Sequence, residues 1–288
     1  MNPKIKVFCF FYNEAALLPF FLNHYRWLGV DCIHAFVSNS TDDTWSILYN
    51  AQAETANGGP GIELDPIEFP SGMDDFLKVQ ALNAAINAPG MEFNDWMMVV
   101  DADEFIWPAG LIGYPADVNR SENPLLCCTP EGDPLTVHEY LDSVPSTETV
   151  LYARMWNVFR HETDGDLDAG IVPVVTQRRH GIPARTHPEN LQYQKPIVIR
   201  AGCGFRYVPG NHGLLPNSCT RIAYAHSFDG AHWQNADPGF CVTRRIRDRR
   251  DRQSEVNRTH GLGSQHHFIT DKDVLEVCEA HRQDPVCF

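Results

Sequence analysis

The chain has 288 residues, with 23 basic against 37 acidic side chains and a formal net charge of −14 near neutral pH. So acidic a composition excludes the broad basic face that duplex binding needs, and nucleic acid is not expected as a partner. The length suits one large α/β domain with a substantial core.

No window approaches the roughly 18 uninterrupted apolar residues of a membrane helix, and the apolar run after the first lysines is broken by Asn13 and Glu14, which predicts a soluble, cytoplasmic protein without a secretion signal. The nine cysteines are scattered, with no CxxC pair and no ordered Cys/His spacing. That pattern fits a reduced compartment, and none of them is assigned to zinc.

Taken in chain order, Ile5 to Phe11 reads as a buried strand. Glu14 to Leu28 reads as a helix, with Leu17, Leu18, Phe21, Tyr25 and Leu28 on one stripe and Gly29 as its stop. Cys32 to Val37 is a second strand, followed by a helix over Thr41 to Glu54 that Thr41 or Asp42 can cap. A weaker strand over Ile62 to Phe69, a helix over Asp74 to Ile86 and a strand over Asp95 to Val100 complete the alternation. Short connections between alternating strands and helices specify a Rossmann-like, mostly parallel sheet with helices on both faces.

Residues 108–145 read mainly as loop, rich in proline, glycine and polar turn formers. Beyond them, Glu148 to Val158, Val172 to Arg179, Lys195 to Arg200 and Arg221 to Ala225 are predicted strands. Pro238 to Ser254 and Asp271 to His281 are predicted helices. No internal repeat is visible, and the chain is read as one domain with residues 1–107 and 108–288 as its halves.

In open α/β sheets the ligand lies beyond the carboxyl ends of the strands. Three polar clusters fall there: Asn13-Glu14, Ser38-Asn39-Ser40-Thr41-Asp42-Asp43 and Asp101-Ala102-Asp103-Glu104. Asp101 and Asp103 are two apart, and on an extended strand such residues share a side, so both can hold one hard cation. A divalent ion there can bridge the phosphates of a nucleotide and neutralise a departing diphosphate. The bland alternative is a strand-end turn with solvated acids. Thr41-Asp42-Asp43 can equally be a helix cap, and Lys78 and Lys195, each able to meet diphosphate oxygens, can equally be structural charges.

Five ordered blocks carry a family resemblance: Phe11-Tyr12-Asn13-Glu14; Leu18-Pro19-Phe20-Phe21-Leu22-Asn23-His24-Tyr25-Arg26-Trp27-Leu28-Gly29-Val30-Asp31; Ser38-Asn39-Ser40-Thr41-Asp42-Asp43-Thr44; Lys78-Val79-Gln80-Ala81-Leu82-Asn83; and Asp101-Ala102-Asp103-Glu104-Phe105. The array resembles the family 2-like glycosyltransferases of the GT-A fold, in particular a subgroup with an Asp-x-Asp-Glu-Phe signature related to family 92. The resemblance is close over residues 5–107. Tyr193 to Arg200, Gly210-Asn211-His212-Gly213 and Tyr224 to Phe228 resemble the subgroup's lysine-bearing strand and later histidines, while the Gln/Arg-x-x-Arg-Trp acceptor motif of the broader family is missing.

The resemblance implies a nucleotide-sugar donor, UDP-linked by preference, with manganese or magnesium, and a hexose passed to a glycan, lipopolysaccharide or glycolipid hydroxyl with inversion. Asp103 is the candidate direct metal ligand, with Asp101 on the ribose or a metal-bound water. His212, then His226, is the candidate third ligand, since imidazole suits manganese better than magnesium. Asn13, Glu14, Asn39, Asp42, Lys78, Asp101 and Lys195 are the candidate nucleotide contacts, and Glu104 either contacts the sugar or only partners a neighbouring charge.

An inverting transfer also needs a base, for which Glu162, Asp168 and Asp229 are candidates along with Asp164 and Asp166. The run from His161 to Asp168 can instead be a solvated acidic loop. The basic run Arg244 to Arg252 reads as an exposed, salt-bridged helix face, with contact to an acidic acceptor at a membrane surface as its functional alternative. The competing functions are a catalytically inactive carbohydrate-binding or scaffold protein, and a nucleotidyltransferase. The latter would be expected to carry a glycine- and basic-rich loop after the first strand, where Phe11 to Ala16 has none.

Overall fold

The computed structural model describes residues 4–55, 59–69, 72–109, 135–184, 194–223, 225–263 and 268–287. The first half follows the predicted alternation: β1 (Ile5–Phe11), α1 (Leu18–Leu28), β2 (Cys32–Ser38), α2 (Thr44–Glu54), β3 (Gly61–Ile67), α3 (Asp75–Ile86) and β4 (Trp96–Asp101). The second half adds β5 (Glu104–Pro108), α4 (Val137–Asp142), β6 (Val150–Phe159), β7 (His180–Pro183), β8 (Gln194–Arg200), β9 (Phe228–Asn235), α5 (Pro238–Val242), α6 (Glu255–Thr259) and α7 (Asp271–Ala280). A π-helical segment, Thr243–Arg250, follows α5 directly.

The nine strands of the described residues belong to one sheet, in the order β3-β2-β1-β4-β8-β6-β9-β5, with β7 also paired to β6. β3, β2, β1 and β4 run parallel. β8 joins β4 antiparallel and carries the sheet on into a mixed portion, where β6 and β9 are again parallel. This is the expected Rossmann-like α/β architecture, extended on one side.

Strand alternation divides the core between two faces. Ile5, Val7, Cys9 and Phe11 join Ile33, Ala35 and Val37 under α1 and α2, through Leu18, Phe21, Tyr25 and Leu48. Phe8, Phe36, Met97 and Val99 meet Val79, Leu82 and Ile86 of α3 on the other. Burial on both faces explains why these strands read as continuous apolar runs. Among the described residues no helix is long and apolar enough to cross a membrane.

Several boundaries differ from expectation. α1 starts at Leu18 rather than Glu14, because Asn13 takes a left-handed backbone (φ 50°) and Pro19 then sits in the helix's first turn. α2 starts at Thr44, since the Asp42 carboxylate accepts from Thr44 N and Oγ1. Residues 174–177 form a 3₁₀ turn rather than a strand, and the predicted strand at Arg221 is reduced to a bridge between Ile222 and Val150. The predicted helix over Pro238 to Ser254 divides into α5 and the π-helical segment. Of the expected loop over residues 108–145, residues 110–134 lie outside the described residues, as do Tyr193 and Tyr224, and its end instead forms α4, started by a capping box between Thr136 and Glu139.

Candidate functional site

The carboxyl ends of β1, β2 and β4 open onto one cleft, lined there by Tyr12, Glu14, Asn39 and Asp101. α3 adds Lys78, and the chain after α5 adds Arg244, Asp248, Arg249 and Arg252. Its aromatic side includes Phe10, stacked on Phe36 at 4.2 Å between ring centroids, and Tyr12, over which the Arg252 guanidinium lies 3.8 Å from the ring.

The rim is fixed by Asn13 and Asp42. Asn13 Oδ1 accepts from Thr41 N at 2.8 Å, its backbone N donates to Ser40 Oγ at 3.1 Å, and its Nδ2 donates to Asp248 Oδ1 at 3.2 Å. Asp42 Oδ2 accepts from Ala15 N at 3.0 Å while Oδ1 holds Thr44. Both side chains, expected to meet the nucleotide, are thus engaged in joining the two strand ends and capping α2. Asn39 is exposed on the cleft wall.

Beneath the rim lie two chains of charge. In the first, Lys78 Nζ donates to Asp101 Oδ1 at 2.9 Å. Lys195 Nζ reaches Asp101 Oδ2 at 3.5 Å and Glu104 Oε2 at 2.6 Å, and Glu104 Oε2 also accepts from Asp101 N at 2.8 Å. Glu104 therefore holds the lysine and the strand end together. Burial works to raise the Asp101 carboxyl, but Lys195 and Lys78 outweigh it and hold the group below the usual carboxylate range.

In the second chain Arg244, buried, bridges Glu14 and Asp103: Nη2 donates to Glu14 Oε1 at 2.6 Å and Nη1 to Asp103 Oδ2. Asp103 Oδ2 also accepts from His232 Nε2 at 3.2 Å and Arg249 Nη2 at 3.4 Å. Burial opposes ionisation of Asp103, yet Arg244, His232 and Arg249 hold it well below the usual range. One guanidinium charge cannot fully serve two buried acids. Burial accordingly pushes Glu14 up to about 7 against the pull of Arg244.

The candidate metal donors are not gathered into a coordination sphere. β4 ends at Asp101 and a turn intervenes before β5, so the same-side geometry of an extended strand does not apply to Asp103. Asp101 is committed to two lysines and Asp103 Oδ2 to two arginines and a histidine, leaving Asp103 Oδ1 as a buried oxygen without a partner. His212 is near enough to Asp101 and Lys195 to feel both charges; desolvation, then Lys195, lowers its pKa to about 4, although the residue as a whole is exposed. His226 is elsewhere, with Nε2 3.2 Å from Ser143 Oγ and its ring against Tyr140. Among the described residues no three His, Cys, Asp or Glu side chains converge as a metal would require. This arrangement does not fit a divalent ion shared by Asp101 and Asp103, because fixed cations already take its place.

The candidate bases are dispersed. Glu162 accepts from Gln283 Nε2 at 3.0 Å and lines a separate groove beside α7. Asp168 closes a local turn through Gly170 N at 2.8 Å. Asp229, on β9, receives both Arg154 Nε and Nη2, at 2.8 and 3.0 Å. None of the three lines the cleft.

His232, alone between Ala231 and Trp233, carries no sequence signal, and Arg244, Arg249 and Arg252 fall in the run that reads as an exposed, salt-bridged helix face or an acceptor contact, not as donor-site residues. A signal for the arginines did exist: a dense basic run in so acidic a chain, directly after the Asn235-Ala236-Asp237-Pro238-Gly239 turn sequence.

No family model matches the chain, and no curated protein matches it. Among solved structures, a UDP-glucose pyrophosphorylase complexed with UDP-glucose is 8% identical with a TM-score of 0.26, covering 55% of this chain and 58% of that one. HddC from Yersinia pseudotuberculosis is 10% identical with a TM-score of 0.29, covering 69% of this chain and 74% of that one. The chain thus spans less than two thirds of the pyrophosphorylase.

Proposed function

We propose that the protein is a glycosyltransferase that takes a hexose from a nucleotide-sugar, UDP-linked by preference, to a hydroxyl of a glycan, lipopolysaccharide or glycolipid acceptor. The observation that carries this reading is the joint opening of the β1, β2 and β4 ends, Lys78 and the C-terminal arginines onto one cleft with aromatic walls. A nucleoside suits the aromatic and apolar surface, and a diphosphate suits the cations. The five ordered sequence blocks supply the strand ends and Lys78. Residues 1–107 then form most of the donor side, and the second half contributes the arginines.

In the reaction the anomeric C–O bond breaks with its electron pair leaving on the diphosphate oxygen. The acceptor oxygen bonds to the anomeric carbon from the opposite face, and its proton passes to a base on the acceptor side. Cations beside the leaving oxygen favour that charge separation most where water is scarce.

The test is a panel of UDP-, GDP- and CMP-sugars, scored for release of the nucleotide without added acceptor, beside a pyrophosphate-exchange assay. Nucleotide release from one UDP-sugar, lost in Lys78→Met, is the expected result. Exchange of pyrophosphate without such release would make the protein a nucleotidyltransferase, and silence in both assays together with no nucleotide binding would overturn the reading.

A further inference from the structure

We propose that the donor's diphosphate is held by fixed side-chain cations, Lys78, Arg249 and Arg252 with Arg244 as a buried brace, and that donor binding needs no divalent cation. This rests on the nucleotide-sugar reading of the cleft and specifies how that cleft meets the phosphates.

All four cations line the cleft, Lys78 from α3 and the three arginines from the stretch after α5. Lys78 lies in the first turns of α3, whose start is fixed by Asp74 accepting from Phe76 N and Leu77 N. Arg244 and Arg249 belong to the π-helical segment, an interruption of α-helical geometry of the kind found at functional sites. Asp248, in the same segment, takes the hydrogen bond from Asn13, tying the segment to the end of β1. Arg252 is held by its backbone: Met73 N donates to Arg252 O at 2.8 Å and Ser254 N to Met73 O at 3.1 Å. The cations are therefore placed before any ligand arrives, which lowers the cost of ordering them.

Capacity for phosphate remains after the internal contacts are made. Arg249 has five N–H donors and contributes Nη2 to Asp103, and its planar fork matches phosphate oxygens in pairs. Lys78 has three donors, one of them on Asp101. Arg252 meets Tyr12 through a cation–π contact, its guanidinium carbon 3.8 Å from the ring centroid. A divalent ion shared by Asp101 and Asp103 would have to compete with Lys78 and Lys195 for Asp101 and would sit among the like charges of Arg244 and Arg249 at Asp103, whose Oδ1 is its one unpartnered oxygen.

The experiment is calorimetric titration of the full chain with UDP and with uridine, in EDTA and in manganese or magnesium. UDP is expected to bind in EDTA, and Arg249→Met and Arg252→Met are each expected to lose about tenfold in UDP affinity while binding uridine as the parent does. Arg249→Lys should recover part of the loss. UDP binding that disappears in EDTA and returns with manganese would overturn the proposal and leave the nucleotide-sugar reading standing. Unchanged UDP affinity in both methionine variants would overturn it as well. Absence of UDP binding with and without metal would sink both readings.

Discussion

His24 shows how one side chain couples stability to pH. Its ring is buried among Tyr25, Trp27 and Phe105, Nε2 donates to Ile106 O at 2.9 Å, and burial lowers its pKa from 6.5 to about 4. Below pH 6.5 the unfolded chain binds a proton that the folded chain refuses. Stability therefore falls as pH drops from 6.5 through about 4, by about 3 kcal/mol in all. His24→Gln keeps a donor in place and removes the titration. Urea unfolding followed from pH 7 to 4 should give a visibly flatter dependence in the variant, and an unchanged slope would assign the effect to other groups. Asp103 tests the buried ion pairs in the same way. Asp103→Asn keeps the shape but leaves Arg244 facing a neutral amide, at a cost of about 3–5 kcal/mol in urea unfolding. A loss under 1 kcal/mol would mean that Glu14 alone satisfies Arg244. The legibility of these residues follows from where their partners lie in the chain. Asp101 stood out because a buried strand ends on it, and Lys78 because it opens a helix aimed at that end. Arg244 did not, since its partners Glu14 and Asp103 are more than a hundred residues away and a basic run reads by default as solvent-facing.

At the scale of elements, the first four strands and three helices were readable because each is a local pattern: an apolar run, a 3.6-residue stripe, a cap, a glycine stop. β7 and β9 were not. β9 reads Phe-Asp-Gly-Ala-His-Trp-Gln-Asn, with polar and small residues that tertiary pairing to β5 and β6 makes extended. The π-helical segment escaped for a related reason, since its contacts with Glu14, Asp103 and Asn13 are all tertiary. The pairing of Met73 with the Arg252–Ser254 stretch offers a test of how this element reaches the cleft. Gly72 has φ 97°, and a Cβ there would run into the Arg252 carbonyl oxygen. Gly72→Ala is expected to cost about 1–3 kcal/mol and to weaken UDP binding by moving Arg252. Gly90→Ala makes the control, with φ 118° but open space around its Cβ. It should lower the melting temperature by backbone strain while leaving UDP affinity as it was, and equal losses of affinity in the two would break the link between this pairing and the cleft.

Across the whole molecule the charge is unevenly placed. A chain with a net charge of −14 gathers Lys78, Arg244, Arg249 and Arg252 around one cleft at the sheet's carboxyl edge, where they outnumber the lining carboxylates Glu14, Asp101 and Asp248. Low-dielectric walls concentrate the field of such a cluster and attract an anion against the overall repulsion. Screening has a definite consequence, because the Debye length shrinks from about 10 Å at 0.1 M salt to about 3 Å at 1 M. UDP affinity should fall steadily as sodium chloride is raised over that range, through the association rate above all, while uridine affinity stays level. Stopped-flow association measured at several salt concentrations checks this directly. Arg249→Met should also reduce the salt dependence, since one of the attracting charges is gone. If UDP bound with the same rate at every salt concentration, the cations would act only at contact, and the acidic remainder of the surface would have no part in bringing the donor to the cleft.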